Sequence, residues 1–412
     1  MSSFSTALSG LLANTTALNV VGDNLANMNT QGFKENNILF EDALSQATES
    51  LQIGDGVGST VTSRDFTQGT ITTNSSPTDA AIQGSGFFVV TDPSTAATEY
   101  TRDGSFNLNS SGQLVTNAGA LVQGWTATDG VVNASGATSA ITVPLLSSLP
   151  PSATTTMSLD ANLNASAAVG DTFSTPVQVV DSLGNTQTVT VTFTNTAANA
   201  WSYTATIPGQ DVTGGKTGTP ASLGTGTLAF NSSGDLTTPA APGSVTLTNA
   251  AALADGAATL NINWNLYDSS GNSTLTQFAQ TSASSGTTQN GTQPATVTGV
   301  SLQNGGLLVA TYSNGIQTTL AQVAVASVSN PGTLIANSGN TYSLGADTLT
   351  PSVGGAGTGG RGTIVGGALE ASNVDMAAEF TNLIVYQQGY EANSKVITTI
   401  DQMDQTLLAI NP

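Results

Sequence analysis

Few residues in this chain combine in a way that could do chemistry. PGQDVTGGKTGT (208–219) comes nearest to a phosphate cradle. Gly215-Lys216-Thr217 matches the end of a P-loop, but Gly209 stands one residue too far upstream. A P-loop also needs a helix whose N-terminal N–H groups face the phosphate, and no helical pattern follows. A turn accounts for the segment. Ser394-Lys395 has the residue types of a nucleophile and its base, yet adjacent helical residues point about 100° apart and form no dyad. Asp103, Asn107 and Asn109 offer oxygen ligands, but the calcium-loop spacing is broken and its closing Glu is missing. The 26 acidic residues are dispersed, with no convergent pair for acid–base work. With no Cys and no His, zinc sites of the usual kind are excluded. The sequence thus points to no catalytic residue, no metal site, no cofactor, and a protein that is not an enzyme.

Charge excludes further classes. The 412 residues carry a net charge of −20, although only 8% are charged. The six basic residues, Lys34, Arg64, Arg102, Lys216, Arg361 and Lys395, are scattered. A nucleic-acid reader needs a basic face to displace counterions, and an anionic membrane surface asks the same. Neither partner is expected. No apolar run reaches the roughly 18 residues of a membrane span. The N-terminus lacks the basic start and unbroken apolar core of a cleavable signal, so any export is expected to be uncleaved and by another route.

What remains distinctive is the order of elements. Phe4, Leu11, Leu18 and Leu25 keep a spacing of seven, and Leu8, Val21 and Met28 fill adjacent positions of the same stripe. This period predicts a helix over 4–28, roughly 37 Å long. The C-terminus mirrors it: Met376, Phe380, Leu383, Ile384, Tyr390, Ile397, Ile400, Met403, Leu407 and Ile410 share one side of a helix from about 374 to 410. An ordinary coiled-coil pair that closes a domain is one reading. Such a pair usually places Glu and Lys beside its seam, and these helices barely do. Neutral polar faces suit helices packed on several sides in an assembly. Phe4, Leu8, Leu11, Leu18, Val21 and Leu25, with Phe380, Leu383, Tyr390, Ile397, Ile400 and Leu407, are therefore the expected assembly interface.

Between the helices the chain reads as strands. FFVVTD (87–92) follows a Gly-Ser-Gly turn, and Val189, Val191 and Phe193 alternate with threonines, as Trp201, Tyr203, Ala205 and Ile207 do with polar partners. A period of two marks half-buried antiparallel strands. One turn recurs: FNLNSSGQLVT (106–116), LAFNSSGDLTT (228–238) and LYDSSGNST (266–274), with DSLGNTQ (181–187) as a variant. Asn or Asp opens a type I turn and Gly takes the left-handed position. The predicted architecture is mainly β with helical termini, the helices forming a coiled-coil-like inner domain and enclosing nested antiparallel β-barrel or sandwich domains. The expected limits are 1–30 with 372–412 for the helical assembly domain and 31–70 with 340–371 for a connecting segment. An inner β domain is expected over 71–147 with 287–339, and an inserted outer β domain over 148–286.

DNLANMNTQGFK (23–34) resembles the N-terminal signature of bacterial flagellar rod and hook proteins, in which a helix ends in an Asn-rich turn followed by Gly-Phe and a base. The matching positions are Asn24, Leu25, Ala26, Asn27, Asn29, Thr30, Gly32, Phe33 and Lys34. GALEASNVDMAAEF (367–380) and YQQGYEANSKVITTIDQMDQTLLAI (386–410) resemble the terminal signature of the same family, with Gln388 where many members carry Arg. Residues 65–90 and 100–125 resemble its shared β domain, and TFSTPVQVVDSLGNTQTVTVTFT (172–194) resembles the outer domain of its hook members. The resemblance implies a structural subunit of the flagellar hook, polymerising into a flexible curved tube that carries torque from rod to filament. It implies a homopolymer, contacts with distal rod, hook cap and hook–filament junction proteins, and passage through the flagellar export apparatus to an extracellular place in the hook. Physically, Asn27, Asn29 and Gly32 are expected to stop the helix and reverse the chain, and Phe33 to anchor the outgoing segment. A rod protein is the alternative within the family. A secreted β-rich adhesin or a two-carboxylate glycosidase are alternatives outside it.

Overall fold

The computed structural model describes residues 2–48, 51–144, 148–249 and 251–410, with the side chains of 2–3, 44–48, 51–55 and 407–410 left aside. It is mainly β with a helix at each end, as the sequence implied. Helix α1 spans Ser2–Ala26 and α2 spans Met376–Ile410. Asp375 starts α2 by accepting from the N–H of Ala377 at 2.8 Å, the usual way an acidic cap satisfies a helix's first donors. The two helices pack antiparallel. Between 31 and 70, where a connecting segment was expected, the chain forms a long antiparallel hairpin of β1 (Asn36–Thr48) and β2 (Leu51–Arg64).

The chain divides into two compact units. The first comprises Met1–Leu145, Thr298–Thr311 and Gln317–Pro412, and the second Leu146–Val297 with Tyr312–Ile316. In the first unit a large sheet runs through strands Leu307–Tyr312, Gln317–Val323, Leu121–Thr128, Phe87–Thr91 and Thr98–Thr101. Phe88, Val90, Phe106, Leu114, Val122, Leu308 and Val323 form its main core. On the other face Phe66, Phe87 and Tyr342 meet edge to face at 5.4–5.9 Å.

The second unit is a sandwich of two five-stranded sheets around one core. The antiparallel sheet contains Thr172–Val180, Thr186–Ala197, Ala200–Ile207 and Ala221–Phe230. Its inward residues alternate as predicted, with Val189, Val191, Phe193, Trp201, Tyr203, Ala205 and Ile207 buried. Trp264 from the other sheet fills the centre, edge-on to Tyr203 at 5.2 Å. That sheet is mixed, because Thr156–Asn164 runs parallel to both Asn261–Asn265 and Leu275–Phe278. The recurrent turns share one device. Asn109, Asp181, Asn231 and Asp268 each accept, through Oδ1, the backbone N–H two and four residues ahead at 2.8–3.0 Å. Gly112, Gly184, Gly234 and Gly271 then take positive φ, from 74° to 92°, where a side chain would be strained.

Candidate functional site

Helix α1 meets α2 through small residues. The buried face of α1 is Ala7, Gly10, Ala13, Ala17, Val21 and Asn24, spaced three or four apart. On α2 the best-covered positions are Glu379, Leu383, Tyr386, Gly389, Asn393, Ile397 and Ile400. Two reciprocal contacts set the register. Asn393 lies over Gly10, where a Cβ would come within 2.9 Å of its carboxamide, and Asn14 lies over Gly389, where the gap would be 2.7 Å. Each carboxamide also donates within its own helix: Asn14 to Gly10 O at 2.7 Å, and Asn393 to Gly389 O at 2.9 Å. Backbones can approach this closely only because the glycines carry no side chain. The hairpin presses on the same helices, with Val57 N donating to Ser9 Oγ at 3.1 Å and Phe40 meeting Tyr386 at 6.0 Å.

This packing redistributes the expected stripe. Of its α1 members only Val21 is fully buried within the subunit, while Leu11, Leu18 and Leu25 are half-buried. Phe4 is 46% and Leu8 39% exposed. On α2, Phe380 is 48% and Tyr390 38% exposed, Leu383, Ile397 and Ile400 are half-buried, and the Leu407 side chain lies outside the described residues. Leu12, Ile384, Val385, Val396 and Met403 are exposed as well. The apolar periodicity located both helices. It did not show that the buried face of α1 is made of small residues, nor that Phe4, Leu8, Leu12, Phe380, Ile384 and Val385 are left exposed.

The signature turn leads into a densely bonded neck. Helix α1 stops as Asn27 Nδ2 donates to Asp23 O at 2.9 Å and Thr30 N donates to Asn27 O at 3.0 Å. Asn27 and Asn29 were expected to share the left-handed work, but only Gly32 has positive φ there (66°), and Asn29 is exposed. Gly32 is doubly constrained, since a Cβ would also stand 2.6 Å from the backbone of Arg102 and Asp103. Phe33 is buried, with the Arg64 guanidinium 5.7 Å from its ring. Next to it the Lys34 ammonium is fully buried against Glu370 at 2.6 Å, and Glu370 in turn holds Arg102 at 3.1 Å. Burial pushes the pKa of Lys34 and of Arg102 down, against the attraction of Glu370. Asn24 makes a separate set of bonds, donating to Glu379 at 2.7 Å and accepting from Asn36 N at 2.9 Å. Asn373 accepts from Glu35 N at 2.8 Å and donates to Asp65 O at 3.0 Å. Burial, with Glu379 nearby, raises the Glu35 pKa.

The residues weighed for chemistry have other partners. Asp103 accepts from Ser105 through both its N–H and its hydroxyl, at 2.9 and 2.7 Å. Gly215 closes a turn on Val212, and a strand beginning at Ala221 follows Thr217 rather than a helix. Among the described residues no group of three or more acidic side chains is placed to hold a metal ion. A cleft of about 500 Å³ beside the neck is lined by Asn27, Thr30, Phe33, Arg64, Asn340 and Tyr342, chiefly amide and aromatic groups.

Comparison with known proteins matches these parts in order. Residues 4–34 match the family model described as flagella basal body rod protein, and 81–162 the flagellar hook protein FlgE/F/G D1 domain. Residues 152–292 match the flagellar basal body protein FlaE D2 domain, and 365–410 the flagellar basal body rod FlgEFG protein C-terminal. The flagellar hook protein FlgE of Rhizobium meliloti is 34% identical, over 98% of this chain and 97% of its own length. That of Escherichia coli K12 is 32% identical over 98% and 99%, and that of Treponema pallidum 31% over 100% and 99%. The crystal structure of Helicobacter pylori flagellar hook protein FlgE2 shares the fold, with a TM-score of 0.50 at 13% identity, over 71% of this chain and 99% of that one. Hook relatives spanning the whole chain, second unit included, disfavour the rod and adhesin alternatives. The chain belongs to the flagellar hook protein FlgE family.

Proposed function

We propose that this hook subunit builds its tube through the paired terminal helices, the bulky stripe of each pair packing on neighbouring copies. Membership of the family implies a structural homopolymer, and it leaves open which residues join the copies. The observation that carries the choice is the exposure of Phe4, Leu8, Leu12, Phe380, Ile384, Val385 and Tyr390 on a helix pair in which α1 already meets α2 through small residues. Bulky apolar side chains left exposed along both helices are apolar surface that another chain can cover. Leu11, Leu18 and Leu25, half-buried at its edge, would finish their burial in the assembly, each full burial being worth roughly 1.5–3 kcal/mol.

In this reading the neck, with Asn27, Asn29, Gly32 and Phe33, couples the terminal helices to the β strands of the first unit. The ends of the tube would meet the distal rod protein on one side and the hook cap and hook–filament junction proteins on the other. The subunit would reach its extracellular place through the flagellar export apparatus. Electron microscopy of purified protein after mild salting-out tests the reading: tubes are expected, and monodisperse particles under all conditions would overturn it.

A further inference from the structure

One buried carboxylate ties together the two strands of chain that join the helices to the β body. Glu370 lies just before α2, and Lys34 lies just after the turn that ends α1. Glu370 Oε1 accepts from Lys34 Nζ at 2.6 Å and from Gly69 N at 2.9 Å. Its Oε2 accepts from Arg102 Nη1 at 3.1 Å, and its backbone oxygen accepts from Gly32 N at 2.8 Å. Lys34 also donates to Thr67 O at 2.6 Å. Arg102 reaches into the β body, donating to Ile82 O at 3.4 Å and Gly84 O at 2.8 Å.

As a source of stability this cluster is poor. Two cations share one carboxylate, and all three are at least nine-tenths buried. Arg102 Nε is buried with no hydrogen-bond partner among the described residues. Burial lowers the pKa of both cations against the pull of Glu370, and on Lys34 the nearby charge of Arg102 adds to it. Desolvation of buried ion pairs commonly exceeds their mutual attraction, and well-packed apolar residues of similar volume do as well or better. What directional charged bonds supply and apolar contacts do not is a single geometry.

We propose that Lys34, Glu370 and Arg102 form an orientation lock, which fixes the angle at which the helix pair leaves the β body and so makes the tube regular. Both chain crossings of the neck end on the same carboxylate, so neither can rotate without breaking a charged bond. The inference rests on the tube-building reading above.

The test compares the wild type with two variants of the full chain. In the first, Lys34→Met, Arg102→Met and Glu370→Met are combined, removing the charges at similar volume. In the second, Glu370→Asp keeps the charges and shortens the reach by one methylene. Unfolding of the dilute subunit and electron microscopy of salted-out polymer are both recorded. The lock predicts that the triple variant unfolds no earlier than the wild type yet loses the uniform tube pitch. It predicts that Glu370→Asp gives tubes of shifted pitch. Wild-type pitch from Glu370→Asp, or from a folded triple variant, would overturn the lock. A triple variant that unfolds early or fails to fold would make the cluster a stabiliser instead, and would also overturn it. A wild-type chain that forms no tubes would fail the hook reading itself, which separates the two outcomes.

Discussion

Replacing Gly10 and Gly389 together by Ala tests how the helices pair. The new methyl groups would stand 2.9 Å from Asn393 Nδ2 and 2.7 Å from Asn14 Oδ1. Either the carboxamide shifts, giving up its bond to the preceding turn, or the helices separate. Overpacking of this kind costs about 1–3 kcal/mol per site. Alanine's higher helix propensity returns about 1 kcal/mol per site. The net is a loss of about 1 kcal/mol at each glycine, about 2 for the pair. Since 1.4 kcal/mol is a factor of ten, the critical concentration for polymerisation should rise roughly thirtyfold. That concentration reports the cost whether the helices pair before or during assembly. Gly22→Ala is the internal control: a Cβ there meets nothing within 4 Å among the described residues, so the propensity gain stands alone and the subunit itself should be no less stable. A double variant that polymerises at or below the wild-type concentration would refute the close-packed register.

Leu18→Asp should abolish polymerisation while both β units keep their unfolding transitions, and normal tubes from it would remove Leu18 from the interface. Gly32→Ala combines a left-handed cost of about 1–2 kcal/mol with a backbone clash, so the first unit should melt earlier while the second is unchanged. The Glu35 pKa is raised in the folded chain; its contribution is full below the ordinary carboxyl pKa and is lost as pH rises through the raised one. Glu35→Gln should therefore flatten the fall in first-unit stability over that window, and an unchanged pH profile would count against burial as the cause. Replacing residues 148–296 by a short Gly/Ser linker should leave assembly intact but change tube stiffness or curvature, whereas loss of assembly with the first unit folded would contradict this.

What the sequence could reveal followed the range of the interaction. The Asn/Asp-Ser-Ser-Gly turns were readable because donor, acceptor and glycine lie within five residues. The strands of the second unit were readable because period two is local. The first helix was readable from Phe4, Leu11, Leu18 and Leu25 seven apart, and the last from the apolar residues that share one side of it. The face that closes the pair was not, because Ala7, Ala13, Ala17 and Gly389 carry little hydropathy and act by being small. The hairpin of β1 and β2 offered no turn signal and was read as a connector. The neck was the least legible part: Lys34 and Glu370 are 336 positions apart, and Arg102 and Glu370 are 268 apart. Lys34 stood in the signature as a lone base, with nothing local to say that its partner was a buried glutamate.

The most direct test of the account is a side-chain-resolution electron cryo-microscopy map of the polymer formed by this chain. The account predicts that Leu12, Phe380, Ile384 and Val385 contact helices of neighbouring copies, while Gly10 faces Asn393 and Asn14 faces Gly389 of the same copy. A tube in which those bulky side chains face solvent or the central channel, with neighbouring copies joined only through their β units, would contradict it.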